Sequence, residues 1–588
     1  MIDFKVEVAK TIALNSAVVD AGLTENEILE LIEKPTDADK GDYAFPCFKL
    51  AKAFRKAPPL IAEEIATALI EQQGAIEGDN LFEKIENVSG YVNFFINRIV
   101  LCSETIKEVL KKGDAYGSSD EGQGKKVLVE YSSPNIAKPF HIGHIRSTVI
   151  GNSIGNILSF LGYDVERLNH LGDYGTQFGK LIVAYRMFGN KEEIIASPIS
   201  TLLKYYVEFH ERAEEDPSLE NDARAAFAAL EQGSEEEVEL WKWFREESLR
   251  EFTTVYDMLG IEFDSYDGES FFSDKMDRVT DELESKGLLE ESEGAMIVDL
   301  EEEDLGKALI KKSDGSTLYI TRDIAAAIYR KEHYDFEKNI YVVASQQDLH
   351  FKQWFKIVEK LGYDWAKDCV HVQFGLVHLQ DGVISTRTGN VVFLEDVLNN
   401  AIEKTKIIID EKGVNTDNVE LASKQIGIGA VVFQELHNNR IKDYTFSWEK
   451  VLNFDGETGP FVQYNYARTS SLLKKAAEDA EKIDALFTTD EGILSGAKYI
   501  VSDAAYALEK LIYELPQVIS EAGARYEPSI ITRHVVDIAQ AFSTYYVVEH
   551  ILVENEDERR AKLALVKAAR YAISNALSLL GIEKPERM

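Results

Sequence analysis

The feature that most constrains this chain is an alternation of apolar runs and helical repeats that begins at Lys125. Val127, Leu128 and Val129 form an unbroken apolar run, as expected for a strand buried on both faces of a parallel sheet. Ser132, Ser133, Pro134 and Asn135 interrupt it with loop chemistry. From Ile145 onward Val149, Ile150, Ile154, Ile157, Leu158 and Leu161 recur at helical spacing. Gly143, Gly151 and Gly155 would let that helix approach a ligand or the sheet closely. The alternation then returns. Tyr163–Leu168 reads as a second strand, Asn339–Ser345 as a third followed by helix Gln353–Leu361, and His371–Val377 as a fourth. Such an order predicts an α/β domain, a Rossmann-like parallel sheet with helices on both faces.

Chemistry gathers where strands of such a sheet end. His141 and His144 lie three apart at the mouth of the first helix, hence on one face of its first turn. A helix start attracts anions through its free N–H groups and dipole, and two imidazoles beside it can donate to a phosphate in its transition state. Glu130 closes an otherwise apolar strand. A carboxylate buried there needs a partner, and a guanidinium fits it with two parallel N–H bonds. That partner is either a ligand or one of this chain's own arginines. Tyr319 and Asp323 sit four apart, with Thr321 read as the cap of a helix whose first turn carries Asp323.

Bulk properties narrow the class. With 588 residues, 45% of them hydrophobic and 10% aromatic, the chain can build several packed domains and is not disordered overall. There is no apolar run long enough to cross a bilayer, and residues 1–20 lack a signal-peptide pattern, so a cytoplasmic protein without a membrane partner is expected. Cys47, Cys102 and Cys369 are far apart and form no CxxC pair, which argues against structural zinc. The net charge of −38 rejects nucleic acid in general. Either there is no RNA partner, or local basic patches hold one. The candidates are Lys49, Lys52, Arg55 and Lys56, and Arg559, Arg560, Lys562, Lys567 and Arg570.

Three regions are expected. Residues 1–112 read as an α+β module, with helical patterns over Val6–Ala21 and Leu60–Gln73 and a strand over Gly90–Ile96. A glycine- and serine-rich stretch, Gly113–Lys126, reads as a linker into a catalytic domain spanning 113–455, with a Glu-rich helical insertion at about 185–300. Residues 456–588 read as an all-α bundle.

Set in its flanks, EYSSPNIAKPFHIGHIRST, the His141-Ile142-Gly143-His144 signature resembles the arginyl-tRNA synthetases, a class I aminoacyl-tRNA synthetase family. The resemblance spans nearly the whole chain and implies a ligase. L-Arginine would be activated by ATP with Mg²⁺ to arginyl-adenylate, then passed to the 2′-hydroxyl of the terminal adenosine of tRNA(Arg). It implies Glu130, Asn135, Tyr319, Asp323 and Gln347 as the arginine pocket. It also implies His141, Gly143, His144, Lys138, Ser385, Thr386 and Arg387 around ATP, with His141, His144, Lys138 and Arg387 in catalysis and no metal held by the protein. Asp381–Val392 stands where class I enzymes carry their mobile loop, but Thr386 replaces a signature lysine; Arg387 or Lys138 would supply the missing charge. Tyr91 and Asn93 would meet the tRNA D-loop side, and Tyr464, Tyr546 and Met588 the anticodon side. A monomer is implied. A small-molecule nucleotidyltransferase would share the HxGH helix without the flanking domains, and a non-catalytic tRNA-binding paralogue would keep those domains without the chemistry.

Overall fold

The computed structural model describes the chain apart from residues 16–17, 20, 75–80, 313–318, 380–391, 413–415, 417, 455, 477–481 and 484–494. Its contacts form two compact units, each assembled from separate stretches. The first takes residues 1–116, 469–515 and 537–573; the second takes 117–468, 516–536 and 574–588.

In the first unit, β1 (Tyr43–Pro46), β2 (Phe82–Val88) and β3 (Tyr91–Ile96) form an antiparallel sheet with β3 in the centre. Phe4, Val8 and Ile12 of helix Phe4–Ala13, and Ile61, Ile65 and Leu69 of helix Pro58–Gly74, share a core with Phe45 and Phe94 of this sheet. The first helix is shorter than its apolar pattern predicts. Asp3 caps its start by accepting from the N–H groups of Lys5 and Val6, and the chain turns away after Ala13. Asp42 is buried but fully engaged, accepting from Ile96 N–H, the Tyr506 hydroxyl and the Lys510 ammonium.

In the second unit, β4 (Lys126–Glu130) and β5 (Asp164–Leu168) come first, then β6 (Glu290–Ser292), β7 (Ala295–Leu300) and β8 (Gly306–Lys311), then β9 (Lys338–Ala344) and β10 (Cys369–Phe374). The parallel sheet runs β10-β9-β4-β5, as the alternation predicts. Strand order reverses direction at β4, so the crevice beyond the carboxyl ends of β4 and β9 is where an open α/β sheet holds ligand. Helix Ile145–Phe160 crosses from β4 to β5. A Cβ on its Gly151 would lie 2.2 Å from Tyr131 Cβ, so only glycine allows this approach.

One expectation is corrected here. The insertion is helical from Thr176 to Ser285 with short breaks, yet it ends in the antiparallel sheet β6-β7-β8. The apolar side chains of Val298, Leu300, Ala308 and Ile310 pack that sheet into the core with Ile324 and Ile328, outweighing the acidic composition around them. The stretch after Gly113 is held by backbone hydrogen bonds: Gly122 N–H donates to Leu161 O at 2.8 Å and Gly124 N–H to Gly162 O at 2.8 Å.

A short parallel pair, β11 (Val377–Leu379) with β12 (Tyr444–Phe446), follows the sheet. Beyond it the described residues are helical, in Gly459–Lys475, Asp503–Arg525, Ser529–Val548 and Glu556–Leu579. Ser574–Met588 belongs to the second unit: Ser153 Oγ donates to Leu579 O, Gln463 Nε2 to Glu583 O and the Tyr466 hydroxyl to Glu586. No helix among the described residues is long and apolar enough to cross a membrane.

Candidate active site

His141 caps a 3-10 turn, Ile142–His144, that runs into helix Ile145–Phe160. The turn fixes both imidazoles from the backbone. His141 Nδ1 accepts from Gly143 N–H at 3.0 Å, and His144 Nδ1 accepts from His141 N–H at 3.1 Å. A backbone N–H can only donate, so in each neutral ring the proton is on Nε2. The ring centres are 4.1 Å apart. Burial lowers both pKa values, and with His141 alongside it brings His144 down to about 3. At neutral pH the turn therefore presents two uncharged, rigidly aimed N–H donors at the mouth of a helix.

The loop from β4 to this turn is held in an uncommon shape. Ser132, Ser133 and Ala137 have φ values of 68°, 48° and 59°, in the left-handed region that side chains other than glycine rarely adopt. Hydrogen bonds hold it there: Ser132 N–H donates to Ser147 Oγ, and Ser132 Oγ meets the Tyr256 hydroxyl at 2.8 Å. Strain maintained in this way is a mark of functional loops. Asn135 bridges to Gly172, where a Cβ would stand 2.4 Å from Asn135 Oδ1. Asn135 and Lys138 are exposed at the rim.

Glu130 has an internal partner. Its Oε2 lies 2.6 Å from Arg330 Nη1, with both side chains buried. Burial works against the Arg330 cation, but Glu130 and then Tyr341 outweigh it and hold the pKa above its usual range. Glu130 thus meets one of the two kinds of partner its position calls for, this chain's own Arg330. Asp323 is the other carboxylate, half-buried, with Oδ2 2.5 Å from His350 Nε2. The helix that carries it begins at Tyr319, so Thr321 lies inside rather than at the cap, and its hydroxyl donates to Ile310 O. Tyr319 is 65% exposed, and Gln347 is exposed in the turn after β9.

Sequence patterning does not single out the groups behind this rim. Glu269 pairs with Arg322 at 3.0 Å. Burial raises its pKa to about 7, with Arg322 and Lys138 pulling it back and Asp323 and Asp173 adding to the rise. Asp173, fully buried, accepts from Arg245 Nε and from the backbone and hydroxyl of Ser270. The signal was present in Gly172-Asp173-Tyr174-Gly175, a glycine-flanked acid just past β5, where Gly175 takes φ 132°.

Ser385, Thr386 and Arg387 lie outside the described residues, so the placement of that stretch is not part of this geometry. The chain just beyond it returns to the histidines: Ile142 N–H donates to Val392 O, and Leu394 N–H to Phe140 O.

Among the candidate RNA contacts, Tyr91 is partly exposed and packs edge-on to the exposed Phe48 at 5.2 Å. Asn93 is corrected: it lies mid-strand in β3, paired on both sides, and is 2% exposed. Tyr464 and Tyr546 are exposed, whereas Tyr466 and Tyr545 are core. Met588 packs on Ile409, Ala422 and Ile426. Lys49, Lys52 and Arg55 are exposed, but Lys562 is buried against Glu549 and Glu558 and Arg560 pairs with Glu556, so the second basic cluster is largely committed internally.

Comparison with known proteins agrees along the whole length. The family described as tRNA synthetases class I (R), catalytic domain, matches residues 105–448. The arginyl tRNA synthetase N terminal domain matches 7–96, and the DALR anticodon binding domain 462–588. An arginine–tRNA ligase of Halothermothrix orenii is 55% identical over 588 residues, and one of Clostridioides difficile 56% over 589, each covering all of both chains. Two solved structures share the fold. The arginyl-tRNA synthetase of Thermus thermophilus has a TM-score of 0.78 at 24% identity, covering 99% of each chain. That of Plasmodium falciparum has 0.77 at 22%, covering 99% of this chain and 98% of the other.

Proposed function

We infer the function from one premise: this chain belongs to the class I arginyl-tRNA synthetase family. Its reaction is the ligation of arginine to tRNA at the expense of ATP. We propose that arginine's carboxylate attacks the α-phosphate of ATP, which enters as its Mg²⁺ complex, to give arginyl-adenylate and pyrophosphate. The 2′-hydroxyl of the terminal adenosine of tRNA(Arg) then takes the arginyl group. The observation that carries this reading is the histidine turn, whose two Nε2–H donors are fixed by backbone hydrogen bonds and stay neutral at physiological pH.

Donors of that kind need no reorganisation as charge builds on the phosphates. Lys138, exposed and three residues before His141, supplies the cation that Thr386 does not; Arg387 is the alternative. On the arginine side, Asp323 is the countercharge for the guanidinium, with Tyr319 and Gln347 around it and Asn135 on the α-amino group. Glu130, buried at the end of β4 beside Arg330, is the second carboxylate of that pocket. A pocket that hydrogen-bonds each guanidinium N–H discriminates by about 10⁴–10⁵ against side chains that lack one, so no editing site is required. Tyr91 on the D-loop side, and Tyr464, Tyr546 and Met588 near the anticodon, complete the RNA contacts of a monomer working in the cytoplasm.

ATP–pyrophosphate exchange with arginine, with and without tRNA, tests the reading. Exchange dependent on arginine and on tRNA(Arg), together with charging of that tRNA, is expected. Exchange with arginine but no charging would point to a nucleotidyltransferase. Binding of tRNA without exchange would point to the non-catalytic paralogue.

A further inference from the structure

Three successive residues near the start of helix Tyr319–Tyr334 are tied to three different elements. The Thr321 hydroxyl donates to Ile310 O in β8, and Arg322 pairs with Glu269 in the 3-10 turn Glu269–Lys275. Asp323 Oδ2 lies 2.5 Å from His350 Nε2 in helix Asp348–Lys360. The helices that carry Asp323 and His350 share one core, where Ile324 and Ile328 of the first pack with Phe351, Trp354 and Ile357 of the second. Phe351, next to His350, also stacks on His371 of β10 with ring centres 4.2 Å apart. His350 is therefore held against Asp323 by its own buried neighbours, two residues after Gln347 on the same rim.

Thr321 and Arg322 are buried, and their two ties already set the rotation of this turn. The third tie differs, since the side chains of His350 and Asp323 are 26% and 30% exposed. A pair so open to water adds little stability. What it removes is rotation, because the terminal torsion of an aspartate is otherwise broad. An ionised carboxylate only accepts, so Nε2 carries the proton and donates it to Oδ2. Oδ1 is left open to a ligand, in a carboxylate whose plane is set. A guanidinium is planar, and its fork meets a carboxylate along that plane. An imidazole can supply this donor while uncharged. A lysine in its place would cancel the negative charge that a cationic substrate needs.

We propose that His350 is a specificity-determining positioning residue for arginine: its Nε2–H donor fixes the plane of the Asp323 carboxylate that receives the substrate guanidinium. This rests on the reading of Asp323 as the countercharge in the arginine pocket.

The test uses full-length enzyme and three variants: His350→Leu, which removes the donor, His350→Gln, which keeps an uncharged one, and His350→Lys, which adds a fixed charge. Pyrophosphate exchange in the presence of tRNA gives kcat and the KM values for arginine and ATP, beside a thermal melt. KM for arginine should rise about tenfold in His350→Leu, with KM for ATP within about twofold. His350→Gln should recover most of that loss, and His350→Lys should not. An unchanged KM for arginine in His350→Leu would overturn the proposal, as would equal rises for both substrates or a loss that only follows the melting temperature. Should His350→Leu fail to fold, the other two variants decide alone: a KM for arginine near wild type with glutamine and raised with lysine supports positioning, and equal values refute it. Asp323→Asn separates the two readings. An unchanged KM for arginine there would overturn the assignment of Asp323, and the role of His350 with it. A raised KM in Asp323→Asn beside an unchanged one in His350→Leu would overturn the role of His350 alone.

Discussion

In the proposed reaction Lys138 and His144 act on the same phosphates through opposite properties. Lys138 brings charge from an exposed position, while His144 brings direction without charge. Removing one preorganised donor typically lowers kcat by about 10²–10³. Lys138→Ala should fall in that range in exchange assays with arginine affinity nearly unchanged, and Lys138→Ala/Thr386→Lys should regain part of the loss. An unaltered kcat in Lys138→Ala would pass the role to Arg387. For His144 the prediction concerns pH. Its folded pKa of about 3 is below the ordinary 6.5, so below 6.5 the unfolded chain binds a proton that the folded one refuses. The stability from keeping it neutral is fully present above 6.5 and is lost as pH falls towards 3. Melting temperature should decline across that window, and His144→Asn should flatten the decline; parallel curves would contradict the assignment. Glu130 shows why some of the site is illegible to pattern. Its charge, strand position and need for a partner all follow from sequence, but a ligand and a distant Arg330 satisfy that need equally well until the chain is folded.

At the scale of elements, the parallel strands were legible because strands covered on both faces are apolar runs ended by turn residues. β6 to β8 were not, since the acidic residues of β6 and of the turns around β7, Glu293 and Glu301–Asp304, resemble the helical stretch before them. The close approach of the β4 loop to the turn after β5 was legible only as scattered glycines. Gly172 gives that contact a test. An alanine Cβ would lie 2.4 Å from Asn135 Oδ1 and 3.2 Å from its Cα, so the Asn135 side chain must move. Overpacking of this kind costs about 1–3 kcal/mol. Gly172→Ala should lower stability in urea titrations by that amount and raise KM for arginine more than KM for ATP. Equal changes in both would mean that Asn135 does not meet the amino acid.

For the whole molecule, the sequence divides into consecutive regions, whereas contacts interleave them: the last helices serve both units. Deleting the entire C-terminal bundle would therefore not isolate RNA binding, because it also strips Ser574–Met588 from the catalytic unit. Ending the chain at Ile573 should depress the melting temperature and abolish exchange as well as charging. A truncate that melts normally and still exchanges pyrophosphate would show those contacts to be dispensable.

The return of Ser574–Met588 to the unit that holds His141 and His144 also places synthesis and activity in time. A ribosome makes the histidine turn long before Leu579, Glu583 and Glu586, which close around Ser153, Gln463 and Tyr466. Nascent chains can fold their early segments one by one, but the contacts of this catalytic unit are complete only once Ser574–Met588 has emerged. A message cut short just before Leu579 would yield a protein with every proposed catalytic side chain and an unfinished core, which is a substrate for proteases rather than a slow enzyme.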